Sequence, residues 1–190
     1  VKKTQMGQIL AEEETNEKNV DYLLGQSDRI HSLNEKLNKL NQDTASLNPW
    51  VNYDLPLETT GTETTAIFMG VLPVGTDTAQ LAASLEEEIE TVLFKVVGSD
   101  KDMFYTAALT PEERQDDVLA LLKKSGFSQV TFKDMKGTVN ENLERIKGEK
   151  DVLENEIKET VAEIAAAAGM RDGIEEYSDI LTIRLDKEKI

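Results

Sequence analysis

All four prolines of this 190-residue chain, Pro49, Pro56, Pro73 and Pro111, fall between residues 49 and 111. A proline inside a helix removes a hydrogen bond and clashes with the preceding turn, at a cost of about 3 kcal/mol. Two long proline-free flanks are therefore open to unbroken helix, and the regular breaks belong to the centre. Glycines at 61, 70, 75, 98, 126 and 137 punctuate the same central stretch. The chain divides into a first helical arm at 1–48, a compact centre at 49–137 and a second helical arm at 138–190. Neither an internal repeat nor a low-complexity tract is present.

Each arm carries a heptad seam. In the first it runs through Ile30, Leu33, Leu37, Leu40 and Leu47, with Thr44 in the remaining slot; spacings of three and four put these on one helix face. Upstream the seam blurs: Ile9, Leu10, Val20, Leu23 and Leu24 are apolar, but Asn16, Asn19 and Gln26 sit where apolar groups are expected. Leu47-Asn48-Pro49 then ends the helix, because the residue before proline is pushed out of helical geometry. The second arm opens on a capping box, Thr138 to Glu141, which satisfies two of the helix's free N–H groups reciprocally. Its seam follows Leu143, Ile146, Leu153, Ile157, Ile164, Ile174, Leu181 and Leu185, with Lys150, Thr160, Ala167, Arg171 and Ser178 as weaker members. At 1.5 Å per residue the arms would be about 72 and 80 Å long. Matched lengths on either side of an insert predict an antiparallel coiled-coil pair. Gly169 and Gly173, beside the run Ala165 to Ala168, mark a thin stretch where helices approach closely or bend.

The centre alternates. Strands are expected at 65–72, 91–97, 103–109 and 128–133, and helices at 77–90 and 111–124. Asp77 signals the first helix start; Thr110-Pro111 signals the second, with proline at its first position. The order βαββαβ is the split, ferredoxin-like arrangement. The fold class is thus α+β, a ferredoxin-like lobe inserted at the tip of a long antiparallel coiled coil. Val92, Phe94 and Val96 oppose Leu93 and Val97 on the second strand, so both faces of the sheet are expected to be covered at least in part.

Charge narrows the partners. The chain holds 37 acids and 21 bases, a formal net charge of −16. Nucleic-acid binding is driven by basic residues that release counterions, and an anionic membrane surface selects basic segments too. Both are disfavoured. Zero cysteines remove disulfides, thiolate metal sites and cysteine nucleophiles. Apolar residues are 39% and aromatics 5%, lean for one globule but normal where long helices are exposed. No apolar run approaches the roughly 18 residues of a membrane span. The start at Val1, without a signal-peptide pattern, reads as a mature or excised piece.

Chemistry is absent from the motifs. There is no phosphate-binding loop, and Gly70 to Gly75 reads as a strand entering a turn. His31, the sole histidine, lies one position off the first seam and lacks the orienting partner and pocket that a general base needs. No nucleophile–base–orienter set occurs, and neither a catalytic residue, a metal site nor a cofactor is expected. Glu86, Glu87, Glu88 and Glu90 crowd the C-terminal end of the first central helix, where the macrodipole prefers cations, a penalty of about 0.3–1 kcal/mol. They read either as solvated charge or as a docking patch for a basic partner. The exposed faces of the two central helices supply the partner-binding candidates: Glu86, Glu87, Glu90, Arg114, Asp117 and Lys124.

Leu47-Asn48-Pro49-Trp50, Asp54-Leu55-Pro56-Leu57 and the strand ending Gly70-Val71-Leu72-Pro73 resemble subunit I, also called subunit a, of rotary V-type and A-type ATPases. Leu121 to Phe127 and the helix entry Gly137-Thr138-Val139 do so as well. The resemblance covers residues 20 to 185. It implies a non-catalytic stator component on the cytoplasmic side of the membrane, in which 49–137 is the lobe distal from the membrane and the arms form a helical bar. It further implies docking to the peripheral stalks, which are E/G heterodimers, and to the region of the C subunit. A proximal lobe and a C-terminal membrane half would lie outside this chain. The rival expectations are a ferredoxin-like small-molecule regulatory module on a coiled-coil tether, and a plain tether. A nucleic-acid-binding sheet is opposed by the lobe's 15 acids against 7 bases.

Overall fold

The computed structural model describes residues 2–169, with side-chain surroundings from 18 to 167. Helix α1 spans Lys2–Leu47 and α4 spans Val139–Gly169. Residues Asn41–Gly148 form one compact unit, and the remaining lengths of the two helices form another.

In the helical unit the heptad positions are the buried ones. Ile30, Leu33 and Leu37 on α1, and Lys150, Leu153, Ile157, Thr160, Ile164 and Ala167 on α4, are each at least half-buried, while nearly all residues between them are exposed. Gln26 donates to the Glu163 carboxylate at 3.2 Å, and Arg29 lies 3.9 Å from Glu156. Ascending numbers on α1 meet descending numbers on α4, so the helices run in opposite directions here. The polar seam position Gln26 is thereby accounted for as a cross-helix donor. Thr160, 1% exposed, bonds back to the Glu156 carbonyl at 2.8 Å and so carries no orphaned hydroxyl into the seam. Arg171, Gly173, Ile174, Ser178, Leu181 and Leu185, like the side chains of Ile9, Leu10 and Asn16, lie outside the described residues.

The other unit is built on a four-stranded sheet: β1 (Thr65–Pro73), β2 (Leu93–Ser99), β3 (Met103–Pro111) and β4 (Ser128–Gln129). Its spatial order is β2-β3-β1-β4 with every neighbouring pair antiparallel. β1 and β2 are consequently parallel with β3 between them. α2 (Thr78–Glu88) joins that pair, and α3 (Gln115–Lys124) makes the corresponding link from β3 to β4. One sheet face buries Ala66, Phe68, Leu72 and Ala108 against Leu81, Leu85, Val118, Leu122 and Phe127. The Phe127 ring comes so close to β1 that a Cβ on Gly70 would overlap it, and would also lie 2.6 Å from the Ser128 carbonyl.

Several element limits differ from the sequence expectation. The helix expected at 77–90 is α2 alone, since Ile89 is already extended; Asp77 caps it, accepting from the Gln80 N–H at 2.9 Å. The strand expected from 91 begins at Leu93 and runs on to Ser99. Pro111 closes β3 instead of opening a helix, and a 3-10 turn at Glu112–Arg114 leads into α3. The fourth strand shrinks from 128–133 to Ser128–Gln129, although Val130 N–H still bonds the Met69 carbonyl at 2.8 Å. Phe132 leaves the ladder and packs edge-on against Trp50, ring centres 5.9 Å apart.

Two threonines on the helix-covered face of β3 form a natural contrast. Thr106 donates to the Gly70 carbonyl at 3.1 Å, whereas the Thr110 hydroxyl, equally buried, has no partner among the described residues. A lost buried bond costs about 1 kcal/mol, while removing an unsatisfied group is neutral or favourable. Thr106→Val is expected to lower the urea midpoint by about 1 kcal/mol of stability, and Thr110→Val to leave it unchanged or raise it.

The entry to α4 is locked as its sequence indicates. Glu141 N–H donates to the Thr138 hydroxyl at 3.2 Å, and the Glu141 carboxylate accepts from Thr138 N–H at 2.7 Å. The Thr138 backbone N–H, then its hydroxyl, hold the Glu141 carboxyl below the usual range. A depressed carboxylate stabilises the fold above its unfolded pKa and loses that contribution as pH falls through the folded value. The stability difference between wild type and Glu141→Gln should therefore shrink on acidification through the glutamate range, as read from urea midpoints between neutral and acidic pH.

Candidate docking surfaces

The first surface is the outer side of α2 and α3. Because β1 and β3 are antiparallel, so are the helices that follow them. Two hydrogen bonds mark the ends of the pair: Arg114 Nη2 donates to the Glu88 carbonyl at 3.3 Å, and the Thr76 hydroxyl to the Ser125 carbonyl at 3.4 Å. The C-terminus of α2 thus lies beside the start of α3. Of the six partner-binding candidates, Glu86, Glu87, Glu90, Arg114 and Asp117 belong to this end, and Lys124 to the other.

Arg114 also explains how the acidic end of α2 is tolerated. Its guanidinium bonds the Glu88 carbonyl and lies 3.2 Å from Asp117 through Nε. A cation at a helix C-terminus satisfies free carbonyls and opposes the dipole, so the 3-10 turn before α3 supplies the positive charge that α2 lacks. Arg114 and Asp117 are engaged within the chain. Glu86, Glu87 and Glu90 are exposed and make no ion pair or hydrogen bond among the described residues, leaving them available to a partner.

The second surface is the opposite face of the sheet. One end of it is roofed by the segment after α1. Trp50, 1% exposed, meets Tyr53, Tyr105 and Phe132 edge-on, with ring centres 6.5, 5.4 and 5.9 Å away. Asn52 donates to the Val97 carbonyl at 3.0 Å. The Tyr105 hydroxyl donates at 2.6 Å to Asp100, whose carboxylate also accepts from the N–H groups of Asp102 and Met103. These bonds, Tyr105 first, hold the Asp100 carboxyl below its usual range. Beyond this roof the face opens into a groove of about 220 Å³ between Leu55, Ile67, Leu93 and Leu109. The expectation of a partly covered second face holds at the Val97 end, 4% exposed, and fails at Leu93, 64% exposed.

His31 stands 3.3 Å from Glu35 on an exposed flank of α1. Among the described residues no cluster of three potential metal ligands occurs, and no helix is long and apolar enough to cross a membrane.

No protein-family model and no curated protein sequence matches this chain. Comparison with solved structures does find a likeness, to the crystal structure of the cytoplasmic N-terminal domain of subunit I, homolog of subunit a, of V-ATPase. The TM-score is 0.52 at 7% sequence identity, over 76% of this chain. The likeness is one of fold. This chain spans about half, 48%, of that domain's length. On this chain's side the likeness takes in a mixed architecture, an antiparallel four-stranded sheet with helices, together with a long helix.

Proposed function

We propose that the chain is part of the cytoplasmic portion of a rotary ATPase stator subunit, and that its role is mechanical. The lobe at 49–137 is ferredoxin-like, and the arms at 1–48 and 138–190 form an antiparallel coiled coil that carries it. The lobe docks the peripheral stalk, the E/G heterodimer, and the region of the C subunit, while the coil transmits load to a membrane half that follows in the full-length protein. The observation that supports this most is the likeness to the subunit I domain across three quarters of the chain. The heptad seams agree with it, because two helices packed along their length resist bending where one alone would not.

The α2–α3 end is the proposed contact with the stalk. Exposed acids there complement a basic partner and steer its approach. Binding to the purified stalk heterodimer is expected at low salt, weakening as salt screens the charges. Glu86→Lys with Glu87→Lys should lower affinity by about tenfold, mostly through the on-rate. Affinity that responds neither to salt nor to charge reversal would remove these residues from the interface.

A further inference from the structure

The groove on the open sheet face lies across the sheet from α2 and α3, so it is a separate surface from the acidic end proposed above. Its walls are Leu55, Ile67, Leu93, Ala107 and Leu109, with Lys95 among them. Leu55 and Leu93 are 43% and 64% exposed, and neither is needed by the core beneath. At about 220 Å³ the hollow is smaller than the roughly 300–1,000 Å³ of small-molecule sites. Apolar surface of this kind serves side chains projecting from a larger partner.

The form of that partner follows from the edge. β2 is the outer strand beside the groove, yet it is unsuited to accepting another strand. A bulge interrupts its register between Val96 and Gly98, Lys95 places a charge on the groove face, and Asn52 already occupies the Val97 carbonyl. Bulges and inward charges are the devices that stop strand addition. A helix needs no backbone hydrogen bonds from its host and binds by apolar anchors alone.

Charge selects between a second copy and a different protein. Residues 49–137 carry 15 acids and 7 bases; the groove lining holds one charge of each sign, Asp54 and Lys95, so the field of the whole lobe sets the preference. Two copies meeting here would oppose two lobes of net −8, whereas a cationic partner gains from the same field. We propose that the open sheet face is a docking groove for a cationic amphipathic helix of a partner protein, anchored by aliphatic side chains against Leu55, Leu93 and Leu109. The proposal does not require the stator role.

The test uses the whole chain with synthetic peptides as probes: an amphipathic Leu/Lys helix, its Leu/Glu counterpart, and an Ala/Lys peptide of equal charge. The Leu/Lys peptide should shift the amide resonances of Leu55, Leu93, Lys95 and Leu109, and Leu93→Ser should weaken it about tenfold. The Leu/Glu peptide should not bind, and the Ala/Lys peptide should bind far more weakly than Leu/Lys. Shifts confined to Glu86, Glu87 and Glu90 and indifferent to Leu93→Ser would overturn the proposal, as would equal binding of the acidic peptide. Self-association of the chain, abolished by Leu93→Ser, would show a second copy to be the occupant and would overturn it too. A failed groove leaves the stator reading intact, because that reading is decided by which proteins accompany the chain in the cell.

Discussion

Trp50→Ala is expected to destabilise the lobe by about 3–5 kcal/mol, the range for removing a buried aromatic. Trp50 is 1% exposed and stands edge-on to Tyr53, Tyr105 and Phe132, so its loss empties the centre of an aromatic cluster. Edge-to-face pairs add about 0.5–1.5 kcal/mol each beyond buried area. The segment from Asn48 to Tyr53 would lose its anchor, and the roof over the Val97 end of the sheet would loosen. Since this is the only tryptophan, unfolding should be followed by circular dichroism in urea. The two helices have their own seam beyond Leu40 and Glu149, so their signal should persist to higher denaturant than the lobe's. A midpoint shift below about 1 kcal/mol would mean that the roof is not integral to the lobe.

Gly98→Val should cost about 3 kcal/mol, the upper end for forcing extra atoms into packed space. A Cβ on Gly98 would overlap the Pro49 carbonyl oxygen. Backbone on both sides leaves no flexible side chain to give way. Either the bulge in β2 or the 3-10 turn at Asn48–Trp50 must move, and each is tied to the other by the Asn52 bond to Val97. The fluorescence of Trp50 should report the displacement directly, by a red shift in the native state as the ring becomes wetter. Gly75→Ala offers the control, because nothing lies within 4 Å of a Cβ there. An unshifted spectrum and wild-type stability in Gly98→Val would contradict the packing of this segment onto the sheet.

Local rules make much of this architecture legible. The heptad seam marks which residues of α1 and α4 are buried, because helix periodicity alone fixes which side chains share a face. The capping box at Thr138 and the Asp77 cap are readable since each bond spans three residues. The succession of strands and helices is readable too. What escapes depends on contacts distant in sequence. Nothing near Ser128 signals that the last strand ends after two residues; Phe132 departs because Trp50 draws it to the other sheet face. Nothing near Glu88 signals that Arg114, one crossover away, will bond the end of α2. The docking groove is foreshadowed only by Leu93, an apolar residue on the face expected to be partly covered.

The site is less legible than the fold for a related reason. The six candidates come from the helices expected at 77–90 and 111–124. Glu90, however, lies past the end of α2 and the half-buried Arg114 in the 3-10 turn before α3, and the antiparallel arrangement divides the six. Glu86, Glu87 and Glu90 remain open, Arg114 and Asp117 are engaged with each other, and Lys124 lies at the opposite end. Charge reversal at the first three is therefore the informative experiment, whereas reversal at Arg114 would confound docking with loss of the α2 cap.

Native purification tests the central reading most directly. The full-length protein, tagged in its own cell and extracted from membranes in mild detergent, should bring down the peripheral stalk and catalytic-head subunits of a rotary ATPase in fixed proportion. Recovery of an intact rotary ATPase from the same membranes without this protein, and of this protein without any ATPase subunit, would contradict the stator role.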